Sequence, residues 1–326
     1  MLIIDEETAL RAVTMTDAIA AIEHAFVALE QGQAKAFPVV TGHGSATDTS
    51  FAIKSGVISD RGLIGLKVGT YWPVNRSAGL PSHGSTTLFL DPATGFPRAL
   101  VSASGLTAIR TAAADAVAVK YLARPNATTL GIIGAGHQAW YDVLAIREVR
   151  AIRQVMVWNR DPRRAEAFAA RVRTELGLGA EAASIESTLR NADIVVTATA
   201  ASEPLVAPQW VRPGTHISAM GADAPGKQEL DVDLTASAFL VADIVQQSLT
   251  IGEFEAAGHA RRITADDINT LGSVILGRVS PLAGAVTVFD SSGMAVQDLA
   301  IGALAIDRAM ALGLGREIKF SSDRTN

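Results

Sequence analysis

The spacing of apolar residues changes several times along the first part of the chain, and each change predicts a different element. In residues 16–32 apolar side chains recur every three or four positions, the period of an amphipathic helix. Residues 51–90 form short β-rich runs separated by Gly, Pro and Asn, which predicts a sheet. A hairpin turn is expected at 91–100, and the alanine-rich stretch 106–122 predicts a helix that ends before Pro125.

From Thr128 onward, short apolar runs alternate with helical stretches. This alternation is typical of a parallel sheet that is buried on both faces. The predicted strands are 128–133, 154–159, 192–200, 215–220 and 237–243, with helices at 138–148 and 161–176. A last helix, at about 297–312, is expected to pack back on the first part of the chain. The second part is therefore predicted to be an α/β domain.

Composition narrows the range of functions. The 326 residues exceed an ordinary single core, so two domains are expected, one at 1–120 with 301–326 and one at 121–300. Hydrophobic residues make up 48% and charged residues 19%, as in compact enzymes. The net charge of −5 and the lack of a Lys/Arg block argue against nucleic acid and membrane surfaces, so small molecules or further copies of the chain are the expected partners.

The chain has no cysteine and its six histidines are scattered, so neither a disulfide nor a metal site is predicted. The amino-terminal segment MLIIDEETALRAV carries acidic residues where an export signal carries basic ones. No run approaches the 18 or so apolar residues of a membrane helix. A cytoplasmic protein is expected.

The segment TTLGIIGAGHQAWY, residues 128–141, places a glycine turn between a strand and a helix. Gly134, Gly136 and the small Ala139 fit the pattern G-x-G-x-x-A, with His137 and Gln138 in between. The first glycine permits the tight turn, and the second lets the backbone approach a pyrophosphate. The free N–H groups at the helix start then stabilise the phosphate charge. We therefore predict a dinucleotide site here.

The end of the second strand bears on which dinucleotide binds. A site for NAD(H) usually has an acidic residue there to bond the ribose 2′-hydroxyl, but this chain has Asn159 and Arg160. An arginine can pair with a 2′-phosphate, which favours NADP(H). Asp161 follows directly and remains within reach of a ribose, so NAD(H) stays open.

Hydride transfer to a small acid needs cations for the carboxylate and a proton donor. Lys54 and Lys67 lie in predicted strands, and Arg110 lies in an otherwise apolar helix, where a charge is costly unless it is paired. A surface or interface ion pair is the alternative interpretation of Arg110. Asp223 follows the strand THIS and is expected near the nicotinamide, where it would exchange a proton, unless it only caps a turn.

These motifs together resemble the ornithine cyclodeaminase and mu-crystallin family, and the resemblance covers nearly the whole chain. The segments that carry it are GLK (65–67), LDPATGFPRA (90–99), LTAIRTAAADAVAVKYLA (106–123), GIIGAGHQA (131–139), GADAPGKQELD (221–231), IGE (251–253) and VFDSSGMAVQD (288–298).

The resemblance implies an α/β protein with a Rossmann domain, a doubly wound parallel sheet, and an α+β domain for substrate binding and dimerisation. A homodimer that acts on amino acids, cyclic imines or imino acids is implied. Lys67, Thr86 and Arg110 would hold or polarise the substrate, and Asp223 would transfer the proton. Further cofactor contacts would come from Ser291, beside the nicotinamide, and from Met220.

Several positions depart from the family pattern. An ungapped placement puts Lys54 where cyclodeaminases carry a glutamate that meets the distal amine, and a cation there would repel ornithine. KAFPVV (35–40) replaces an Arg-x-Pro segment, which removes one usual carboxylate contact, and TYWPVN (70–75) replaces a His-Pro pair. His83 precedes the segment STT. Cyclodeamination is therefore disfavoured.

The added positive charge suits a substrate with two carboxylates. Several segments are also similar to iminosuccinate reductases, which reduce iminosuccinate to L-aspartate. Lys54 and His83 would then join Lys67 and Arg110 around the substrate, unless Lys54 points to solvent and His83 bonds backbone. Other reactions of the family remain open: ketimine or pyrroline-2-carboxylate reduction, alanine dehydrogenation, cyclodeamination, or ligand carriage without catalysis.

Overall fold

The computed structural model describes residues 1–46 and 48–320, and the chain forms two compact units. Unit 1 comprises Met1–Arg110 and the chain from Met294 onward, and unit 2 comprises Thr111–Gly293. The helix Ser104–Leu122 runs through the first boundary. The domain limits expected from the sequence, at residues 120 and 300, lie further along the chain in both cases.

Unit 1 is built on a mixed eight-stranded sheet. Its strands are β1 (Leu2–Ile4), β2 (Ala34–Ala36), β3 (Val40–Gly42), β4 (Ser50–Ile58), β5 (Leu63–Tyr71), β6 (His83–Leu90), β7 (Pro97–Ser102) and β18 (Arg316–Glu317). Its helices are α1 (Glu6–Ala12), α2 (Met15–Glu30) and α11 (Ala295–Ala311), with α3 (Ser104–Leu122) beginning here. The strand order is β18-β1-β7-β6-β5-β4-β2, and β3 pairs with β4.

Glycines let the last helix, α11, lie close against this sheet. A Cβ on Gly65 would lie 2.9 Å from Cδ2 of Leu299, and one on Gly302 would lie 2.7 Å from the ring of Phe89. Both distances are shorter than real Cβ contacts, so a side chain at either position would force the neighbouring side chain to shift. The close approach lays the first turns of α11 over strand β5, where two polar residues of the helix become important for the site.

Unit 2 is built on an eight-stranded sheet whose pairings are all parallel. The strands are β8 (Thr129–Ile133), β9 (Gln154–Trp158), β10 (Gly179–Ala182), β11 (Ile194–Thr197), β13 (His216–Ala219), β15 (Phe239–Ala242), β16 (Ile268–Thr270) and β17 (Thr287–Asp290), and β12 (Ser202–Val206) pairs with β14 (Gln228–Leu230) beside it. The helices are α4 (His137–Val149), α5 (Pro162–Arg171), α6 (Ile185–Asn191), α7 (Val232–Ser237), α8 (Val245–Ser248), α9 (Glu255–His259) and α10 (Leu271–Ile275).

The strand order β10-β9-β8-β11-β13-β17-β15-β16 confirms the predicted doubly wound sheet. From β8 the chain continues to β9 on one side and later returns to β11 on the other. The order therefore reverses beside β8, and ligands of such sheets bind at the carboxyl ends of the strands at this point. Fully buried Val195, Ile217 and Val288 hold the centre of the sheet, as expected for strands covered on both faces.

Among the described residues, no single helix has the length and hydropathy needed to cross a membrane. The helix pair α1 and α2, bent by 86°, meets that test as a pair by length and composition alone.

Two carboxyl groups lie fully buried behind the glycine turn, Asp115 on α3 and Asp142 on α4. Burial raises the pKa of Asp115 to about 7. Burial and the neighbouring Asp115 raise the pKa of Asp142 well above its ordinary value. Asp142 accepts a hydrogen bond from Nε2 of Gln138, 2.7 Å away, in the first turn of α4. The pair therefore retains a proton near neutral pH.

The raised pKa of Asp115 predicts a pH-dependent contribution to folding stability. An exposed aspartate has a pKa of ~3.9, so between that value and about 7 the folded chain binds a proton that the unfolded chain has lost. The stabilisation is complete at low pH and declines as the pH rises through this window. Asp115→Asn cannot lose a proton, so its melting temperature should rise relative to wild type between pH 5 and pH 7.

The exposed Asp307 on α11 supplies the control, because Asp307→Asn should keep a constant difference from wild type across the same range. Thermal unfolding at three pH values measures both variants. A pH-independent difference for Asp115→Asn would contradict the raised pKa.

Candidate active site

The glycine turn follows β8 at the point where the strand order reverses. Gly134 has a φ of +107°, and its N–H donates to the carbonyl of Trp158 at 2.9 Å. A Cβ there would lie 2.7 Å from the carbonyl oxygen of Ala198, so glycine is required. Gly136 precedes α4 without a side-chain capping bond, which leaves the first N–H groups of the helix for a ligand.

A cavity of about 320 Å³ opens at this turn, at the carboxyl ends of β8, β9 and β11. Its lining residues are Gly134, Ala135, Gly136, Trp158, Asn159, Arg160, Arg164, Ala198, Thr199, Ala200, Ala201 and Leu205. Glycines and alanines let backbone approach a ligand, two arginines supply positive charge, and none of these described lining residues is acidic. The cavity therefore fits the phosphates and ribose of a dinucleotide.

Arg160 and Arg164, which line the cavity, bear on whether NAD(H) or NADP(H) binds. Asp161 caps α5 by accepting from the N–H of Arg163 at 3.0 Å, and its carboxylate also meets the Arg163 guanidinium at 3.3 Å. Asn159 accepts from the N–H of Asp161 at 2.9 Å. Asp161 is thus engaged in its own helix cap, whereas Arg160 and Arg164 line the cavity. This arrangement supports recognition of a 2′-phosphate.

Four other predicted cofactor residues do not line this cavity. His137 is exposed, with its ring 5.0 Å from that of Tyr141, and the Gln138 side chain bonds Asp142 within α4. Met220 is buried just after β13, and Ser291 follows β17 with its Oγ donating to Asp243 at 3.0 Å. Their contact with a cofactor stays a prediction.

In unit 1, Lys67 on β5 and Arg110 on α3 converge on one carboxylate of α11. Nζ of Lys67 donates to Oδ1 of Asp298 at 2.7 Å, and Nε of Arg110 lies 3.3 Å from the same oxygen. Arg110 also donates to Oε1 of Gln297 at 3.1 Å. Lys67, Arg110 and Asp298 are each at most 8% exposed. Two cations facing one carboxylate leave a net positive charge in a nearly dry environment.

Burial shifts the titration of this ion cluster. It lowers the pKa of Lys67 to about 8, although Asp298 opposes the shift by favouring the charged amine. Burial also pushes the pKa of Asp298 upward, but the attraction of Lys67, Arg110 and Lys54 outweighs it and leaves that pKa below the ordinary value. The cluster therefore keeps its ions, and its excess positive charge is suited to an anion.

Strand register decides which other predicted residues share the face of Lys67. Lys54 on β4 lies directly opposite Lys67, and Thr87 on β6 lies opposite it on the other side. Thr86 pairs with Val68 instead, so its side chain projects from the other face of the sheet, and its predicted contact with substrate finds no support in this register.

His83 shares the face of Lys67 but lies further along the sheet. It is paired with Tyr71, four residues beyond Lys67 and thus roughly 13 Å away at 3.3 Å per residue. The His83 and Tyr71 rings lie 4.7 Å apart. Lys54 is the nearer candidate for a second carboxylate contact.

Asp223 lies in unit 2, in the loop that follows β13. Its side chain is 63% exposed and forms an ion pair with Lys227, whose Nζ also donates to the carbonyl of Gly221 at 3.2 Å. The loop thus closes on itself and presents Asp223 at the carboxyl edge of the sheet. Its carboxylate is engaged by Lys227 in this structure, and the proton-transfer role of Asp223 remains a prediction.

Sequence reasoning missed Asp298 and Gln297, the partners of the two buried cations. Both lie in the segment VFDSSGMAVQD, which contributes to the family resemblance, and they form a polar pair in a mostly apolar helix. The cost of burying Arg110 indicated that it needs a partner. The alanine-rich helix gave no means of locating a partner 187 residues away.

Known proteins match this chain along almost its entire length. The family model described as "Ornithine cyclodeaminase/mu-crystallin family" matches residues 3–312. Iminosuccinate reductase of Paracoccus denitrificans is 38% identical over 320 residues, covering 98% of this chain and all of the relative. The crystal structure of that enzyme with NAD+ aligns with a TM-score of 0.95 over 98% of this chain and 99% of the other.

Two further relatives align equally completely. Alanine dehydrogenase of Archaeoglobus fulgidus is 34% identical over 322 residues, covering 98% of both chains. Δ1-Pyrroline-2-carboxylate reductase of Thermococcus litoralis, solved with NADH and L-proline, is 30% identical with a TM-score of 0.91, covering 98% of this chain and all of the other. These alignments confirm the predicted fold and a nicotinamide dinucleotide as the cofactor.

The two cavity-lining arginines predict selectivity for NADPH. A charge-assisted hydrogen bond contributes about 1.5–3 kcal/mol, so Arg160→Ala combined with Arg164→Ala should weaken NADPH binding about 10- to 100-fold. NADH lacks the 2′-phosphate, and its affinity should change little. Fluorescence titration of both cofactors measures this.

Arg163→Ala serves as the control, since Arg163 is 92% exposed and pairs with Asp161 outside the cavity lining. An equal loss of affinity for NADH and NADPH in the double variant would contradict the assignment, as would wild-type preference for NADH.

Proposed function

The chain belongs to the ornithine cyclodeaminase/mu-crystallin family, and we propose that it reduces iminosuccinate to L-aspartate with a nicotinamide dinucleotide. The broader class, an NAD(P)-dependent oxidoreductase acting on C–N bonds, is the one that its curated relatives share. The more specific proposal, with iminosuccinate as the substrate, rests on one observation. Lys67 and Arg110 both pair with Asp298, and Lys54 lies directly opposite Lys67.

The charges of this cluster match a substrate with two carboxylates. Lys67 and Arg110 exceed the single charge of Asp298, which leaves one positive charge for a first carboxylate. Lys54 adds another on the same face of the sheet, in a cross-strand position where like charges repel. A dicarboxylate imine neutralises both charges, whereas a monocarboxylate neutralises one of them.

Within this proposal the residues divide the work of binding and proton transfer. Lys67, with a pKa of about 8, is mostly protonated at neutral pH and holds a carboxylate together with Arg110. A nicotinamide dinucleotide, when bound, would supply the hydride for reduction of the imine carbon. Asp223, or a water that it orients, supplies any proton needed at the nitrogen, which completes the amine.

Other family reactions fit these charges less well. Ornithine carries a side-chain ammonium that Lys54 would repel, which disfavours cyclodeamination. Pyrroline-2-carboxylate and alanine lack a second carboxylate for Lys54. A carrier without catalysis could use the same ion cluster to bind an anion, but it would need no proton-transfer group such as Asp223. The homodimer, the role of unit 1 in dimerisation and the cytoplasmic location stay predictions.

A substrate panel tests the proposal. Oxidation of NADH and NADPH is followed with oxaloacetate plus ammonia, pyruvate plus methylamine, and pyrroline-2-carboxylate. We expect the highest kcat/KM with oxaloacetate plus ammonia. Lys54→Ala should reduce kcat/KM for this dicarboxylate imine about 10- to 100-fold, the value of one ionic hydrogen bond, and should spare the monocarboxylates.

Lys35→Ala is the matched control, because Lys35 is an exposed lysine on the neighbouring strand β2. An equal loss for pyruvate imine in Lys54→Ala would contradict the contact with a second carboxylate. Silence of wild type with every imine would favour the carrier.

The role of Asp223 predicts a separate effect on turnover. Asp223→Asn removes the proton-transfer group, so kcat should fall about 100-fold or more, within the range of general acid–base catalysis, with little change in dinucleotide affinity. Asp233→Asn is a matched control, since Asp233 is similarly exposed and pairs with Arg262 as Asp223 pairs with Lys227. Unchanged kcat in Asp223→Asn refutes the role.

A further inference from the structure

A buried glutamate of unit 2, Glu229 on β14, has no part in the reaction described above. Its side chain is completely buried and accepts four hydrogen bonds. Oε1 accepts from the N–H and the hydroxyl of Thr199, at 2.8 and 2.6 Å. Oε2 accepts from the hydroxyl of Thr197 at 2.7 Å and from the N–H of Gly221 at 3.1 Å. One carboxylate thus connects the carboxyl ends of two adjacent strands, β11 and β13.

The segments that Glu229 connects are the wall of the dinucleotide cavity and the start of the loop that carries Asp223. Thr199 lines the dinucleotide cavity, and its methyl group would lie 2.8 Å from a Cβ on Gly134 of the glycine turn. Gly221 opens the loop that carries Asp223. A Cβ on Gly221 would lie 2.4 Å from the carbonyl oxygen of Thr199 and 2.5 Å from Oε2 of Glu229. The backbone at Thr199 and the carboxylate of Glu229 lie so close to Gly221 that this position has no room for a Cβ.

The donors around Glu229 decide its protonation state. Each of its oxygens accepts from one backbone N–H, which can only donate, and from one hydroxyl, and these four hydrogen bonds favour the carboxylate although burial raises the pKa of Glu229. The neighbouring Glu253 is different. Its Oε1 accepts from the N–H groups of Glu229 and Leu230, at 2.9 and 2.6 Å, and Oε2 has one longer contact of 3.1 Å.

Glu253 is therefore the group of the pair that holds a proton. Burial, and then the charge of Glu229, raise the pKa of Glu253 well above its ordinary value. Asp290, also buried, has its pKa raised to about 8, chiefly by burial. Among Glu229, Glu253 and Asp290, the negative charge is therefore concentrated on Glu229, where four donors stabilise it.

We propose that Glu229 is a positioning residue that fixes the wall of the dinucleotide cavity at Thr199 and the start of the Asp223 loop at Gly221. Its carboxylate holds both segments by the same four hydrogen bonds, so a change there alters cofactor binding and turnover together. The part concerning the loop rests on the proposed function, whereas the part concerning Thr199 requires only that a dinucleotide binds.

Glu229→Gln tests the proposal with almost no change in shape. The amide keeps one acceptor oxygen but turns an NH2 group toward a backbone N–H that cannot accept, so at least one of the four hydrogen bonds is lost and two N–H groups face each other. We expect the Kd for NADH and NADPH to rise at least 10-fold and kcat to fall at least 10-fold, both at 25 °C on folded protein. Circular dichroism and thermal unfolding verify the fold.

Glu253→Gln is the matched control. The amide oxygen can replace Oε1, and the NH2 group takes the place of the protonated Oε2, so Kd and kcat should stay within about twofold of wild type. Equal damage in both variants, or damage in Glu253→Gln alone, overturns the proposal. A lowered melting temperature with unchanged Kd and kcat in Glu229→Gln shows a purely structural residue and also overturns it.

Thr197→Val covers the case in which Glu229→Gln does not fold. Valine matches threonine in shape but removes one donor to Glu229, and Thr197 does not line the cavity. A shift in Kd of about 2- to 5-fold in the same direction supports the proposal, and wild-type values overturn it. Because Kd is measured without substrate, this outcome is decided even if no imine is reduced, which separates it from failure of the proposed function.

Discussion

The capacity of unit 1 to bind an anion depends on the interaction of two buried cations with one carboxylate. Lys67, Arg110 and Asp298 come from a strand and two helices far apart in sequence, and their charges lie in a nearly dry region of the unit. Such clusters contribute little net stability, because desolvation offsets their attraction. A cluster that also leaves a positive charge uncompensated is therefore better explained by what it binds than by the fold it supports.

Unit 2 uses buried charge of the opposite sign. Its anion, Glu229, is compensated by backbone N–H groups and hydroxyls, and Glu253 accepts from the backbone N–H groups of Glu229 and Leu230. These donors belong to strand ends of a parallel sheet, where N–H groups beyond the last ladder bond need partners. The carboxylates accept from these N–H groups. The first N–H groups of α4, directly after the glycine turn, remain for a phosphate. Each unit thus uses burial to fix charge beside the segments that would hold a ligand.

The period of apolar residues was sufficient to predict most long elements, the parallel sheet and the glycine turn, because these depend on local spacing. The site depended on information that local spacing lacks. Thr86 and Thr87 differ by one position, yet the strand register sends them to opposite faces, and only Thr87 lies across from Lys67. Likewise, Asp298 lies 231 residues from Lys67, a pairing set by the fold rather than by a local pattern.

The register of Lys54 and Lys67 connects substrate charge, stability and pH. Two lysines directly opposite on neighbouring strands repel each other, and this repulsion adds to the burial that lowers the pKa of Lys67 to about 8. A bound dianion removes the repulsion, so ligand binding stabilises the folded chain. It also restores the preference of Lys67 for its proton. The same linkage means that the anion is held less tightly as the pH rises past 8, since Lys67 then loses the charge that attracts it.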